Sequence, residues 1–297
     1  MDERIYVINP YDRKAVIHRN LYGSFAEHLG RCIYDGIYVG EDSAIENIHG
    51  IRKDIVEALR RIRLPIIRWP GGDFSDRYHW MDGIGPKEER PRDVNYHWGA
   101  VDEPNTFGIH EFLEFCELVG CEPYIALNVA SGTVKEAKDW VEYVNADGDS
   151  PMVRLRRKNG REKPWNVKFW GIGNESWVSG GNMNSQYYTN EFNKYQTFVI
   201  PYGDTVPYKV ACGPSSAFCS KDWEWTETLL KLGKGVNAIS IHHYTDTRES
   251  GLGRFRATEF PEEVYHAYMK DALRLDRVIS ENEMLMDRYD PEGTIDL

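Results

Sequence analysis

The sequence lacks any long apolar run. No window within its 297 residues is long and apolar enough to span a membrane. The first ten residues, MDERIYVINP, begin acidic and contain no apolar stretch of the kind that a secretory signal peptide needs. Both absences favour a cytoplasmic protein without a membrane partner.

Cysteine is scarce and has no metal-site spacing. There are five cysteines, an odd number without a CxxC pair, at Cys32, Cys116, Cys121, Cys212 and Cys219. Reduced thiols in the cytoplasm are therefore expected. The adjacent His242 and His243 could ligate a metal, but the sequence has no HExxH motif and no second histidine pair. Hydrogen bonding or packing is the favoured interpretation of these histidines, and no metal is expected.

Positive charge is in deficit, and nucleotide-binding motifs are absent. The formal net charge is −11, which argues against a nucleic-acid partner because phosphate binding requires a basic patch. No GxGxxG or GxxxxGK[ST] motif follows a predicted strand, which disfavours a nucleotide-binding doubly wound sheet. The chain also shows no internal repeat, low-complexity segment or linker, so residues 1–297 are treated as one domain.

Aromatic residues, in contrast, are abundant, with nine Trp, eighteen Tyr and eleven Phe. Two interpretations remain open from composition alone. These side chains fill a large core, or they cluster at the mouth of the fold, where flat aromatic rings suit the apolar faces of sugars.

Short apolar segments alternate with helical stripes along the chain. Strands are predicted at 21–25, 65–70, 123–129, 167–173, 208–213 and 238–244, with a further strand beginning at 294–297. Helices are predicted at about 52–63, 109–120, 134–144, 188–199, 221–233 and 261–287. Six β-α units and a seventh strand predict an α/β fold, a (β/α)8 TIM-type barrel truncated within or before strand seven.

Polar residues end or directly follow the predicted strands, where barrel enzymes carry their chemistry. Glycosidic hydrolysis needs a carboxylic acid for the leaving oxygen and a second carboxylate to attack the sugar or activate water, and amide or histidine donors would hold the hydroxyls. The residues in these positions are Glu27, Arg68, Asp73, Asn128, Asn174, Glu175, His242 and Tyr244.

Each of these candidates has a structural alternative. Asn-Glu recurs at Asn190-Glu191 and Asn282-Glu283, so only the strand-end position distinguishes Glu175. Arg68 could be a structural ion-pair partner of Glu27. The segment Pro70-Gly71-Gly72 is interpreted first as a tight turn and second as a loop that a ligand approaches.

Six segments resemble glycoside hydrolase family 51, the α-L-arabinofuranosidases, and they span almost the whole chain in the expected order. They are YGSFAEHLGRCIYDGIYV, IIRWPGGDFSDRYHWMDGIGP, ALNVASGT, FWGIGNESW, SIHHYT and MDRYDPE. The resemblance implies a (β/α)8 barrel followed by a β-sandwich. It also implies cleavage of terminal α-L-arabinofuranosyl units with retention, without a metal or organic cofactor.

The same resemblance assigns roles by motif. Glu175 resembles the general acid/base at the end of strand four, and Asn174 the residue that holds the 2-hydroxyl of the sugar. Glu27 and the RWPGG loop, which contains Arg68, resemble the wall of the arabinose subsite.

Two further residues, His242 and Tyr244, match a histidine and a tyrosine near the nucleophile. Asp73 departs from the pattern, since the family more often has Asn or Cys after PGG. An extra carboxylate there is expected to alter sugar contacts or local pKa values.

The second carboxylate of the reaction has no clear candidate. Glu281 and Glu283 lie among helically spaced apolar residues, as on a solvated helix face, and are not nominated. In the family, the nucleophile ends the seventh strand, usually in a DEW motif, so it is expected just beyond Leu297. The remaining barrel strands and the β-sandwich are then not part of residues 1–297.

The sequence therefore predicts part of a retaining glycoside hydrolase acting on arabinofuranosyl-containing oligosaccharides, with the fragment itself inactive. A homo-oligomer is expected for the full-length family member. Two alternatives stay open: a related xylosidase or furanosidase on the same barrel, and a non-catalytic sugar-binding protein.

Overall fold

The computed structural model describes residues 9, 11, 15–216, 222–245, 251–253 and 255–297, so Cys219 lies outside the described residues. The strands in chain order are β1 (Ser24–Phe25), β2 (Asn47–Ile48), β3 (Ile51–Arg52), β4 (Ile66–Trp69), β5 (Asp93–Asn95), β6 (Val101–Glu103), β7 (Glu122–Leu127), β8 (Phe169–Ile172), β9 (Tyr208–Ala211) and β10 (Ala238–Ile239). The helices are α1 (Lys53–Ile62), α2 (Ile109–Val119), α3 (Val134–Asn145), α4 (Pro151–Lys158), α5 (Ser185–Gln196), α6 (Asp222–Leu232), α7 (Glu262–Ala272) and α8 (Arg274–Tyr289). None of these helices is long and apolar enough to cross a lipid bilayer.

Six strands form one parallel sheet in the order β1-β4-β7-β8-β9-β10. Each strand therefore lies beside the strand that precedes it in the barrel sequence, and the order does not reverse as it does in a doubly wound sheet. This arrangement confirms the predicted parallel β/α organisation. Closure into eight strands stays a prediction.

The predicted seventh segment lies at the open edge of this sheet. Asp296 forms a parallel bridge with Ala238, its N–H donating to Asn237 O at 2.9 Å and its carbonyl accepting from Ile239 N at 2.9 Å. This single bridge at Asp296 is consistent with a strand beginning within 294–297, and the seventh strand itself stays a prediction.

Several predicted elements differ in detail. The long helix expected at 261–287 is two helices, α7 and α8, separated at Leu273. The first strand is shorter than expected because residues Arg19–Tyr22 form a 3-10 helix, leaving only β1 as strand. Val199 shares the apolar pattern of α5 but lies beyond its last residue.

Other elements were not predicted because they carry no apolar periodicity. Helix α4 has the basic sequence PMVRLRRK and is started by Ser150, whose side chain accepts from Val153 N. The antiparallel hairpins β2–β3 and β5–β6 are short insertions between strands of the parallel sheet. In β5–β6 most residues are exposed, so strand alternation is not visible in the sequence.

Most of the tryptophan fills the core between the sheet and its helices. Trp69 stacks on Phe112 with ring centroids 4.8 Å apart, and Trp80 stacks on Trp140 at 5.8 Å. All four side chains are buried. The core interpretation of the aromatic content therefore holds for these residues, and the packing fixes the sheet on which the strand-end loops sit.

One buried tyrosine hydroxyl shapes the end of β8. The ladder between β8 and β9 includes a bond from Tyr208 N to Lys168 O, and the same register continued by four residues on each strand would join Cys212 N to Ile172 O. The Tyr188 hydroxyl takes that place, donating to Ile172 O at 2.6 Å and accepting from Cys212 N at 2.5 Å. The two strands can thus separate here without unpaired backbone groups.

Tyr188→Phe should therefore weaken the sheet at the end of β8. The variant leaves a buried carbonyl and a buried N–H without their partner, and the free energy of unfolding should fall by about 2–4 kcal/mol. Urea denaturation measures the change. Tyr187→Phe on the same helix is the matched control, because Tyr187 is 55% exposed and should change stability by no more than about 0.5 kcal/mol. Equal stability of the two variants would contradict the role of the hydroxyl.

Candidate active site

One open cleft at the carboxyl ends of the strands collects the predicted site residues other than Asn128. Its volume is about 430 Å³, a size suited to a small ligand. The lining residues are Phe25, Glu27, Leu29, Cys32, Arg68, Gly72, Asp73, Trp98, Asn174, Glu175, His242 and Tyr244.

A sharp turn after β8 presents Asn174 and Glu175 to this cleft. Gly173 has φ +84° and Glu175 has φ +38°, both in the left-handed region, which is uncommon for a residue with a side chain. The Glu175 carbonyl accepts from Val178 N at 2.9 Å and Gly180 N at 3.1 Å, so the following loop holds the turn. Backbone held in a sparsely populated conformation is a frequent property of functional positions.

The carboxylate of Glu175 is paired with His242, which lies three residues beyond the end of β10. Its Oε1 lies 2.8 Å from His242 Nδ1, and both side chains are largely buried. The position of His242 is itself fixed. Its backbone N–H donates to Pro214 O at 3.0 Å, and its ring packs edge-on against Trp177 with ring centroids 6.1 Å apart. The pair can hold one proton between oxygen and nitrogen.

The amide of Asn174 is oriented from two sides. Arg68 Nη1 donates to Asn174 Oδ1 at 3.2 Å, and Asn174 Nδ2 donates to Asp76 Oδ2 at 3.4 Å. Because a guanidinium only donates, the oxygen of the amide must face Arg68. The Arg68 guanidinium also lies over the Phe25 ring, 4.4 Å from its centroid. Arg68 therefore acts on Asn174 and Phe25 and does not serve as an ion-pair partner of Glu27.

The Gly-rich loop after β4 binds the carboxylate of Glu27. Glu27 Oε1 accepts from Gly72 N at 2.8 Å and Phe74 N at 3.1 Å. Burial raises the pKa of Glu27, while these backbone N–H groups oppose the rise. Gly71 permits the approach, because a Cβ there would lie 2.6 Å from Glu27 Cγ. The loop is thus both a turn and a carboxylate cradle.

Asp73 connects two strand-end loops across the cleft. Its Oδ1 accepts from the Ser179 hydroxyl, in the loop that follows Glu175. Tyr244 lies nearby: burial and then the charges of Glu175, Asp73 and Glu27 raise the pKa of its phenol. Tyr244 therefore remains a hydrogen-bond donor in this acidic cleft.

Asn128 is the one predicted site residue that the structure places elsewhere. Its Oδ1 accepts from Ser131 N at 2.9 Å and Gly132 N at 3.0 Å, and its Nδ2 donates to Tyr78 O at 3.2 Å. Both ends of the amide are occupied by its own loop, and it does not line the cleft. A strand-end position alone predicted a sugar contact that this local bonding does not support.

The acidic residues that were set aside lie outside the cleft. Both are on α8, where Glu281 accepts from Arg277 Nε at 2.6 Å and Glu283 is exposed. The adjacent histidines diverge, since His243 Nδ1 lies 2.6 Å from Ser216 Oγ while His242 pairs with Glu175. In the described part of the chain, no group of three or more His, Cys, Asp or Glu side chains could hold a metal ion.

Sequence reasoning missed the residues that support the site from below or from loops. Asp76 follows Asp73 by one turn, and nothing in the sequence shows that it is buried beside Asn174. Trp98 reaches the cleft from the loop between β5 and β6, a hairpin without an apolar pattern.

Burial also raises the pKa of Cys212 to about 12, so this thiol offers no nucleophile at neutral pH.

Asp76→Asn should change how stability depends on pH. Burial raises the pKa of Asp76 well above its ordinary value of 3.8, with Asp73 and Glu175 adding repulsion. Below that ordinary value both folded and unfolded chains hold the proton. At higher pH only the folded chain does, so the contribution of Asp76 to wild-type stability should fall by up to about 1.4 kcal/mol per pH unit until the raised pKa is passed.

The neutral amide of Asp76→Asn removes this slope, so the variant should gain stability relative to wild type as pH rises from 4 to 7. Urea denaturation at a series of pH values gives the difference. Asp102→Asn, the same change at an exposed carboxylate on β6, is the control. Parallel wild-type and Asp76→Asn curves would show that Asp76 is ionised in the folded protein.

Comparisons with known proteins relate the chain to α-L-arabinofuranosidases. A family model described as alpha-L-arabinofuranosidase 1 domain matches residues 58–205. The intracellular exo-alpha-L-arabinofuranosidase of Bacteroides ovatus is 48% identical over 285 residues, covering 96% of this chain and 54% of that protein. Alpha-L-arabinofuranosidase C of Emericella nidulans is 49% identical over 232 residues, 78% of this chain and 40% of the relative.

Solved structures give the same result. The GH51 arabinofuranosidase from Xanthomonas axonopodis pv. citri superposes with a TM-score of 0.91 at 42% identity, covering 96% of this chain and 57% of that one. The Thermotoga maritima alpha-L-arabinofuranosidase, solved as an arabinose complex, has a TM-score of 0.76 at 39% identity and covers 92% and 53%. The chain spans about half the length of the curated relatives it matches. On its motifs, its parallel β/α sheet and these relatives, the chain belongs to glycoside hydrolase family 51.

Proposed function

We propose that this chain supplies the acid/base half of a retaining α-L-arabinofuranosidase that releases terminal arabinofuranosyl residues from oligosaccharides or polysaccharides. The observation that carries the proposal is the Glu175–His242 pair, 2.8 Å apart and largely buried at the strand ends of an open cleft. Relatives that are named arabinofuranosidases support the substrate class.

Glu175 is assigned the proton transfers. In the first step of a retaining reaction, the acid gives its proton to the leaving glycosidic oxygen as the bond to the anomeric carbon breaks. In the second step, the same group takes a proton from the attacking water. His242 Nδ1 suits this alternation, because it can accept a hydrogen bond from the carboxylic acid or donate one to the carboxylate.

The surrounding side chains are assigned to the sugar. Asn174 is held by Arg68 and Asp76 with its amide at the cleft, next to the acid. Hydrogen bonds to a sugar 2-hydroxyl that strengthen in the transition state contribute several kcal/mol in such enzymes. Glu27 and Tyr244 add an acceptor and a donor for other hydroxyls. Trp98 also lines the cleft and adds aromatic surface for the apolar side of the ring.

The nucleophile is proposed to come from sequence beyond Leu297. Retention needs a carboxylate about 5–5.5 Å from the acid/base. Besides Glu175, the carboxylates that line the cleft are Glu27 and Asp73, and both already accept hydrogen bonds from protein donors. Relatives about twice as long leave room for the remaining barrel strands, the nucleophile and a β-sandwich.

Three wider inferences accompany this function. We infer that the whole protein closes an eight-stranded barrel onto the β10 edge, where Asp296 already pairs. We infer a cytoplasmic location, since the Bacteroides ovatus relative is named intracellular. A homo-oligomer is inferred for the whole protein from family resemblance.

Glu175→Ala, in a protein extended beyond Leu297, should slow aryl arabinofuranosides with poor leaving groups by roughly 10²–10⁴-fold. Substrates with good leaving groups need less protonation and should lose less in their first step. Azide should partly restore turnover of activated substrates because it attacks without base assistance. Glu191→Ala is the matched control, because Glu191 also follows an asparagine but lies on α5. Equal losses for all leaving groups, without azide rescue, would remove Glu175 from the acid/base role.

The 297-residue chain alone should show no appreciable turnover of 4-nitrophenyl α-L-arabinofuranoside, because its cleft carboxylates other than Glu175 are engaged. An extended protein measured beside it should be active. Comparable rates would mean that the nucleophile lies within these residues, and single substitutions of Glu27 and Asp73, followed by Glu281 and Glu283, would then identify it. Ligand binding without turnover by the extended protein would instead favour a sugar-binding function.

A further inference from the structure

The residue that follows Glu27 is a buried histidine outside the proposed reaction. His28 is 3% exposed, and its ring stacks on Phe74 with centroids 4.4 Å apart and an interplanar angle of 10°. Its neighbour Glu27 lines the cleft, whereas His28 points into the core beneath it. A buried polar ring in an aromatic environment needs a partner for each nitrogen.

Both nitrogens of His28 have such partners, and together they determine where the proton sits. Trp69 Nε1 donates to His28 Nε2 at 3.2 Å. An indole N–H can only donate, so Nε2 carries no proton. The proton must then be on Nδ1, which lies 2.9 Å from Glu103 Oε2. If the His28 ring were doubly protonated, the Nε2–H group would face the Trp69 indole N–H, and neither could accept a hydrogen bond from the other.

Glu103 completes the network as a carboxylate. Its Oε1 accepts from the Tyr34 hydroxyl and from Asn105 N at 3.0 Å. Burial raises the pKa of Glu103, but the interaction with His28, followed by the hydrogen bonds from Tyr34 and Asn105, outweighs burial and lowers it overall. Every neighbour of this carboxylate is a donor, so an amide in its place would leave one donor facing another.

The same histidine connects both strands of a hairpin to the cleft. Glu103 is on β6, and Asn95 on β5 donates its side-chain amide to the His28 carbonyl. The loop between these strands carries Trp98 to the cleft wall. An isolated two-stranded hairpin is marginally stable in water, so these buried anchors have to hold it in place.

We propose that His28 is a positioning residue: kept as its neutral Nδ1–H tautomer by Trp69 and Glu103, it fixes hairpin β5–β6 and thereby places Trp98 at the cleft. The effect on ligand rests on the proposed function, because Trp98 then forms a wall of the sugar site. The tautomer and the anchoring of the hairpin do not depend on that function.

The tautomer is tested directly in the wild-type 297-residue chain by ¹⁵N NMR of labelled histidine, with His28→Gln identifying the signals. The expected spectrum shows a protonated Nδ1 and an unprotonated Nε2 at neutral pH. A protonated Nε2, alone or together with Nδ1, would overturn the proposal. His28→Gln serves only to assign the signals, and the tautomer itself is read from the native chain.

The anchoring is tested with Glu103→Gln, whose amide presents N–H to the Nδ1 proton. Backbone amides of β5 and β6 should exchange with solvent about 10- to 100-fold faster than in wild type. Glu114→Gln is the matched control, because Glu114 Oε1 lies 2.5 Å from Nδ1 of the exposed His49. Unchanged hairpin exchange in Glu103→Gln, or an equal change in the control, would refute the anchoring.

A second substitution distinguishes the tautomer from general packing. Adding Trp69→Phe to Glu103→Gln removes the donor at Nε2, so the ring can move its proton there and accept the new amide at Nδ1. The double variant should therefore lose less hairpin protection than the two single variants predict together. Additive losses would show that the Trp69 contact does not set the tautomer.

Titration with L-arabinose links the hairpin to the cleft. Glu103→Gln should bind about 10-fold more weakly than wild type, and Glu114→Gln should bind like wild type. Weaker binding supports the placement of Trp98, and equal binding by all three proteins refutes it. A wild-type chain that binds no arabinose would count against the proposed function, while the NMR and exchange results would still decide the tautomer and the anchoring.

Discussion

The insertion of the Tyr188 hydroxyl between β8 and β9 is the contact on which the candidate site most depends. It satisfies Ile172 O and Cys212 N after the direct ladder has ended, so β8 can turn away from its neighbour without leaving backbone groups unpaired. Gly173 and Glu175 then adopt left-handed backbone, and the acid is delivered to the cleft. A ladder that continued for another residue would keep this segment extended along the sheet.

The cleft gathers acidic groups and controls them by different means. Glu27 is bound by backbone N–H groups, Asp73 by the Ser179 hydroxyl and Glu175 by His242. Asp76, buried beneath them, has a raised pKa, so it can remain neutral and avoid adding another charge. A cleft that holds carboxylates close together can thus keep one of them available for proton transfer.

Sequence patterns predicted the parts of the fold that are governed by periodicity. Apolar strands that alternate with helical stripes predicted the parallel sheet. The strand-end positions of Glu175, Asn174 and His242 predicted that these side chains lie close together. Asn128 shows the limit of that reasoning, because its position is right but its amide is used by its own loop. Trp98 and Asp76 could not be found, since hairpin excursions and burial under a turn leave no periodic signal.

The contacts that build the cleft join parts of the chain that are distant in sequence. Glu27 and Gly72 are separated by 45 positions, Glu175 and His242 by 67, and Arg68 and Asn174 by 106. Such a cleft has high contact order, and no short peptide of this chain can reproduce any part of it. Its formation therefore coincides with cooperative assembly of the whole sheet. By linkage, a sugar that binds only the assembled cleft will stabilise strands far from its own contacts.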